Sequence, residues 1–358
     1  MVPDYLWVAP ESPARKAALA PLVLLEGPYR LGAWFHRRMY DWGLRSRVRL
    51  PSQVISVGNV TAGGSGKTPV TGWLAGELHA RGRKVAILSR GVGGRRGRDV
   101  NVVSDGERIL LAASEVGDEP VLLAASTPGV PVLAGRNRVA LGYRAASLFG
   151  AEVVLLDDGL QHHRVARDLE LICLDGSLGL GNGHVLPRGP LREPPGVLSR
   201  ADAWLWTRVA PDFDPGAAFP ELGGGARRPE FVLRIAPRRL RSLADGAERP
   251  LEALRGRRVG LLAAIARPDR LLAVLEQLGA QVASVRSFPD HHLYSRRDLE
   301  GLDAELPWVT TAKDATKIPR EWLGEHTIEA LEEEVDPGKS GLADWVLDRL
   351  DGGGRKGV

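Results

Sequence analysis

The chain has 358 residues, 44% hydrophobic and 26% charged, with 43 glycines and 25 prolines. That length suggests about two domains, each able to bury a core, and the balance excludes disordered, collagen-like and coiled-coil chains. A single cysteine, Cys173, excludes an internal disulfide framework, a thiolate zinc site and an iron–sulfur cluster, and points to a reducing compartment. The net charge of +4 favours anionic partners. Of the 48 basic residues 41 are arginine, whose forked guanidinium suits phosphate, although a GC-rich genome yields the same composition.

No run approaches the roughly 18 apolar residues that cross a bilayer. Pro3, Asp4, Pro10, Glu11 and Pro13 break up any signal-peptide core, so an intracellular chain is expected. Over residues 14–50, Leu31, Trp34, Phe35, Met39 and Trp42 recur at helical spacing, accompanied by Arg30, Arg37, Arg38, Arg45, Arg47 and Arg49. Such a segment is either a helix lying in a membrane interface or an amphipathic helix packed on its own domain.

From residue 53 the pattern alternates. Strands are expected at 53–57, 84–88, 130–133, 152–156, 169–174 and 203–206, with helices at 68–79 and 136–149. Strands alternating with helices predict a parallel sheet covered on both faces. The Gly- and Pro-rich stretch 211–229, containing Gly223, Gly224 and Gly225, is the expected domain boundary. Beyond it, strands at 230–235, 258–263, 281–285 and 308–311 and a helix at 270–278 predict a second, smaller α/β unit. The expected organisation is an N-terminal helical segment (1–50), a larger α/β domain (51–225), a smaller α/β domain (226–350) and a disordered tail (351–358).

Between the first strand and helix lies VGNVTAGGSGKT, residues 57–68. A strand, a glycine-rich turn and a helix are the context of a P-loop. Glycines let backbone N–H groups curl around phosphate oxygens, and the helix points its positive end at them. Thr61, Ala62, Gly63, Gly64, Ser65, Gly66, Lys67 and Thr68 are the candidate nucleotide cradle, with Lys67 on the β/γ-phosphates and Thr68 on Mg²⁺. A strict Walker A loop has Gly where this chain has Thr61. The fold class expected is therefore α/β and P-loop NTPase-like, a parallel sheet flanked by helices.

The most hydrophobic strand ends in Asp157 and Asp158, paired carboxylates that expect a cation. Asp118, in Gly-Asp-Glu-Pro, is either a helix N-terminal residue or a catalytic acid. Asp290, His291 and His292 form either a proton relay or a surface turn. Arg90 to Arg96 form a glycine-rich loop suited to a second phosphate. In the rigid loop 187–194, Arg192 on nucleotide phosphates and Glu193 near the metal are chemically sensible, as is a plain salt bridge.

In shared order, residues 57–69, 89–94, 115–120, 157–162, 186–194, 288–294 and 310–317 resemble the tetraacyldisaccharide 4'-kinase family. The resemblance implies transfer of the ATP γ-phosphate to the 4'-hydroxyl of tetraacyldisaccharide 1-phosphate, giving lipid IVA for lipid A, with Mg²⁺. It implies that Asp118 and His291 are the catalytic pair, residues 61–68 the ATP loop, Asp158 and Glu193 metal-side acids, and Arg192 a phosphate ligand. It also implies contact of the N-terminal helix with the cytoplasmic face of the inner membrane, as a peripheral protein, and no obligate protein partner. Three positions depart from the family pattern: Val92 for Tyr, Ala312 for Glu, and Ala264 for Gly. The competing readings are a switch ATPase or GTPase governed by a protein partner, which lacks its signature Lys at Ala62, and a nucleic-acid binder. The latter has no motif in its favour, so no nucleic-acid partner is expected.

Overall fold

The computed structural model describes residues 11–96, 100–219, 222 and 228–352. The triple glycine at 223–225 and most of the expected tail, 353–358, lie outside the described residues; 351 and 352 close a helix, Leu342–Gly352. The chain forms two compact units, one of Met1–Leu88, Asn137–Ile235 and Val335–Val358, the other of Ser89–Arg136 and Ala236–Glu334. This differs from the successive domains 51–225 and 226–350, because residues 89–136 leave the first unit and belong to the second.

The first unit is built on parallel strands in the order Val85–Ser89, Val153–Asp157, Gln53–Asn59, Leu169–Asp175, Ala203–Thr207 and Glu230–Val232. Every residue of Val153–Asp157 is buried, which is why that strand reads as a continuous apolar run rather than an alternation. Gln53–Asn59 lies between Val153–Asp157 and Leu169–Asp175. Its carboxyl end therefore opens beside Asp157, at the edge where ligands bind in such sheets. Helix Lys67–Ala80 follows the strand, and Leu342–Gly352 packs against it with Val346 and Leu350 buried. Gln53 Nε2 ties that last helix down by donating to Leu350 O at 2.8 Å.

The second unit holds an antiparallel pair, Asn101–Ser104 with Val132–Ala134. It also holds a sheet ordered Glu248–Pro250, Arg234–Ser242, Ile328–Asp336, Trp308–Thr311, Arg258–Ala263 and Gln281–Ser287. The expected strand at 230–235 is two strands: pairing with Ala203–Thr207 ends at Val232, and Arg234–Ser242 takes new partners. Ile328–Asp336 was not legible in the sequence. Its Glu332 and Glu334 face Arg239, Arg241 and Arg238 across the sheet, so ion pairs replace the apolar alternation that marks a strand.

Residues 13–41 are helical, as Pro13–Leu19, a short 3₁₀ turn and Val23–Asp41. Among the described residues no helix is long and apolar enough to cross a membrane.

Candidate active site

The phosphate loop leaves the central strand with Asn59 buried, its Nδ2 donating to Thr61 O at 2.7 Å. Thr61 then pairs antiparallel with Leu191. Extended backbone there needs no glycine, so a β-branched residue is accommodated where a strict Walker A has Gly. Gly63 and Gly66 carry the left-handed turns, at φ 111° and 75°. A Cβ on Gly66 would crowd only the movable Cδ1 of Ile235, at 2.4 Å, so it is the left-handed backbone that opposes Gly66→Ala. The Ser65 carbonyl is pinned by Thr207 Oγ1 at 2.7 Å. Helix Lys67–Ala80 has no acid in its first turn, leaving its positive end for an external anion.

Lys67 Nζ donates to Asn59 Oδ1 at 2.9 Å and lies 3.5 Å from Asp158. Arg192 Nη1 reaches both Asp158 oxygens at 2.9 Å and Gln161 Oε1 at 3.3 Å. Burial opposes ionisation of Asp158, but Lys67 and Arg192 outweigh it and hold its carboxyl at about 2. Asp157 points to the P-loop helix, accepting from Thr71 Oγ1 at 3.3 Å. Loop 187–194 reaches this place through backbone bonds, Ala62 N to Pro190 O and Arg192 N to Val60 O, both 2.7 Å. Glu193 does not pair with Arg192: it accepts from Gln161 Nε2 at 3.3 Å and Arg200 Nη1 at 3.2 Å. Among the described residues no three acidic, His or Cys side chains form a ready metal cage. Cys173, opposite Asn59 in the sheet, is buried and its thiol is pushed up to about 12, so it is inert.

The second unit gathers a different cluster. Helix Asp118–Ser126 begins at Gly117, where a φ of 91° and an added Cβ that would lie 2.3 Å from Val92 O admit only glycine. Asp118 is 3% exposed, and His291 Nδ1 lies 3.1 and 3.2 Å from its two oxygens. Lys313 and Lys317 stand 3.7 and 3.6 Å from its Oδ2. Burial pushes the Asp118 carboxyl up, but His291, Lys313 and Lys317 prevail and hold it below the usual range. The same contact with Asp118 raises His291, against its partial burial. His292 is occupied elsewhere, stacked on Phe288 with ring centroids 4.6 Å apart and 3.2 Å from Asp298. Of the adjacent imidazoles, His291 is therefore the one that meets Asp118.

Comparison with known proteins places this geometry. The family model described as Tetraacyldisaccharide-1-P 4'-kinase matches residues 16–351. The Tetraacyldisaccharide 4'-kinase of Anaeromyxobacter dehalogenans (strain 2CP-C) is 45% identical over 324 residues, 87% of this chain and 84% of that protein. That of Syntrophus aciditrophicus (strain SB) is 41% identical over 357 residues, 94% of both.

The chain belongs to the tetraacyldisaccharide-1-P 4'-kinase family.

A solved member, the "apo" form LpxK from Aquifex aeolicus in complex with ATP, superposes with a TM-score of 0.77 at 31% identity, covering 93% of this chain and 99% of that one. The α/β fold of a 4'-kinase and the kinase activity that its family name states are thereby established for this chain. Two features read differently from expectation within this 4'-kinase. Gly94 sits where a Cβ would meet Glu115 O at 2.5 Å, and Arg96 N donates to that carbonyl at 2.8 Å. Gly91 and Gly94 thus serve backbone packing against 115–117, while Arg90, Arg95 and Arg96 stay exposed. Ala264, which replaces a family glycine, is buried in the core with Leu262 and Tyr294, and its N–H donates to Asp314 Oδ2 at 3.0 Å.

Sequence reasoning also missed Arg167. Its Nη2 donates to Gly159 O at 2.7 Å and Leu160 O at 3.1 Å while Nη1 holds Glu170. It thus braces the turn in which Asp158 takes its positive φ of 53°. Arg167→Lys keeps the charge but cannot span three acceptors. The expected result is a rise of about tenfold in the KM for ATP, because the turn that presents Asp158 loses its outer support; steady-state kinetics at varied ATP would show it.

Proposed function

We propose that this kinase transfers the γ-phosphate of ATP to the 4'-hydroxyl of tetraacyldisaccharide 1-phosphate, forming lipid IVA at the cytoplasmic surface of the inner membrane. The observation that carries the reading is the phosphate loop itself. Lys67, Arg192 and an anion-ready helix end surround one ionised carboxylate, in a chain whose family is named for this substrate. The neighbour from Aquifex aeolicus is an ATP complex, which supports ATP as donor.

The backbone N–H groups of 63–66 and Lys67 stabilise charge on the phosphates, and Arg192 adds a guanidinium beside them. Asp157 and Asp158 at the end of strand Val153–Asp157 and the Thr68 hydroxyl in the first turn of helix Lys67–Ala80 are hard oxygen donors, a set that suits Mg²⁺ with phosphate oxygens completing it. Bound there, Mg²⁺ would neutralise charge on the β- and γ-phosphates. Glu193, held by Gln161 and Arg200, is a further carboxylate on the metal side. The acceptor hydroxyl oxygen attacks phosphorus in line, its proton passing to the Asp118–His291 pair as the bond to ADP breaks.

Membrane contact rests on an inverted helix. In Val23–Asp41 the buried residue is Glu26, which accepts from Val185 N and meets His184 Nδ1 at 2.8 Å. Leu24, Leu31 and Phe35 are 80%, 64% and 49% exposed, with Trp34 and Trp42 also outward. Tyr29 OH donates to Arg192 O at 3.1 Å, fixing the helix to the loop that carries Arg192. A helix that buries its acid and presents leucine and aromatic rings is suited to a lipid interface, where such rings enter the headgroup region. Replacing Leu31, Phe35 and Trp42 with Gln is expected to weaken binding to phospholipid vesicles by at least about tenfold, given roughly 1.5–3 kcal/mol for each fully buried large apolar side chain. Sedimentation with vesicles measures it, and unchanged binding removes the helix from the membrane.

The deciding experiment is ³²P transfer from γ-labelled ATP to tetraacyldisaccharide 1-phosphate in detergent, with and without Mg²⁺. Labelled lipid that requires Mg²⁺ is the expected product. Steady release of inorganic phosphate with no labelled lipid would instead support a switch ATPase.

A further inference from the structure

The cluster around Asp118 contains more charge than a two-residue proton relay needs. Lys313 Nζ lies 3.7 Å from Asp118 Oδ2, 3.5 Å from Asp290 Oδ1 and 4.0 Å from Glu119 Oε1. Lys317 Nζ, 1% exposed, lies 3.6 Å from Asp118 Oδ2 and 2.6 Å from Asp314 Oδ1, over the Tyr294 ring. Asp314 is itself fixed by Thr311 Oγ1 and the Ala264 N–H. On the other side His291 faces Asp118 through Nδ1 and Asp290 through Nε2, the latter at 3.6 Å. These are the charged and titratable groups around the pair: two ammonium groups, one imidazole and the carboxylates of Asp118, Glu119, Asp290 and Asp314.

We propose that Lys313 and Lys317 are positioning residues for phosphoryl transfer, bracketing Oδ2 of Asp118 so that this carboxylate stays ionised and oriented toward His291. The proposal rests on the reading of Asp118–His291 as the proton acceptor. Its physical basis is elementary. A carboxylate this buried is costly to ionise alone, and a positive charge within about 4 Å reverses the preference by roughly one to three pH units. With two such charges on Oδ2 and the Glu119 N–H donating to Oδ1 at 2.9 Å, the His291 ring is the side from which a proton can arrive. Lys317 is sealed in and Asp314 depends on it, so it maintains the arrangement. Lys313, 20% exposed, is the one that can be altered safely.

The test is Lys313→Met beside Lys313→Arg. Loss of the ammonium group raises the proton affinity of both Asp118 and His291, since Lys313 holds both down. The acceptor must be unprotonated to work, so the acid limb of the kcat–pH profile moves to higher pH, by about one unit, whichever of the two takes the proton. Lys313→Arg keeps the charge and keeps the limb in place. The titration of His291 followed by NMR, its signal assigned by its absence in His291→Asn, should rise by a similar amount in Lys313→Met without recourse to activity. A lowered rate with an unmoved limb and an unmoved His291 titration would overturn the proposal and leave Lys313 a packing residue. Wild-type turnover in Asp118→Asn would overturn the proton-acceptor reading instead. The His291 titration would still decide whether Lys313 sets the charge of the pair.

Discussion

Turnover of Asp118→Asn is expected to fall by about 10²–10⁴-fold, the usual contribution of a positioned proton acceptor, while ATP affinity is unchanged. The substitution keeps side-chain size but removes the charge that Lys313, Lys317 and His291 face. An amide cannot accept the hydroxyl proton, and its N–H₂ group cannot satisfy two ammonium neighbours. Asp118 lies in the second unit and the phosphate loop in the first, so the nucleotide's own contacts stay intact. Calorimetry with ATP and ³²P transfer to the lipid acceptor, on the same preparation, separate the two effects. Because Lys317 retains Asp314 at 2.6 Å, the fold should survive, and a thermal melt checks that. Equal loss of ATP binding and turnover would point to a damaged fold rather than a lost acceptor.

Lys67→Ala is the second large effect. Its ammonium group donates to Asn59 and stands 3.5 Å from Asp158, where a bound nucleotide's β- and γ-phosphates would compete for it. Removing one such fixed donor from a transition state commonly costs about 10²–10³-fold in kcat. Here it also unbalances Asp158, whose ionisation depends on Lys67 together with Arg192. Lys67→Arg is not expected to restore the rate, because a planar fork does not replace a compact ammonium at the end of a glycine turn. Single-turnover transfer at saturating ATP measures it, and a rate within threefold of wild type would remove Lys67 from the reaction.

The parts of the site that sequence made legible are those in which local residue identity dictates geometry. Gly63, Gly66 and Lys67 follow a buried strand and precede a helix, and nothing distant is needed to read them. Asp157 and Asp158 were legible because a fully apolar strand ended in charge. Gly91 and Gly94 had the same local look, but what they approach is the backbone of 115–117. Glu193 was drawn toward the metal by its place beside Arg192. The structure adds its partners, Gln161 and Arg200, which no local pattern reveals. Lys313 and Lys317 were visible only as parts of a motif. Their meaning depends on Asp118, nearly two hundred residues away, and no periodicity links such positions.

The order in which the chain visits its two units has a consequence for biosynthesis. Residues 1–88 begin the first unit, 89–136 start the second, 137–235 return, 236–334 complete the second, and 335–358 close the first. A ribosome that has delivered the entire phosphate loop and both aspartates of 157–158 has therefore not yet delivered helix Leu342–Gly352, whose Val346 and Leu350 are core and whose backbone anchors Gln53. Nascent chains halted near 235 should bind ATP poorly and remain protease-sensitive. Protection should arrive for both units together, late in synthesis, rather than one domain after the other. Cutting the chain at any single junction severs a unit instead of releasing one.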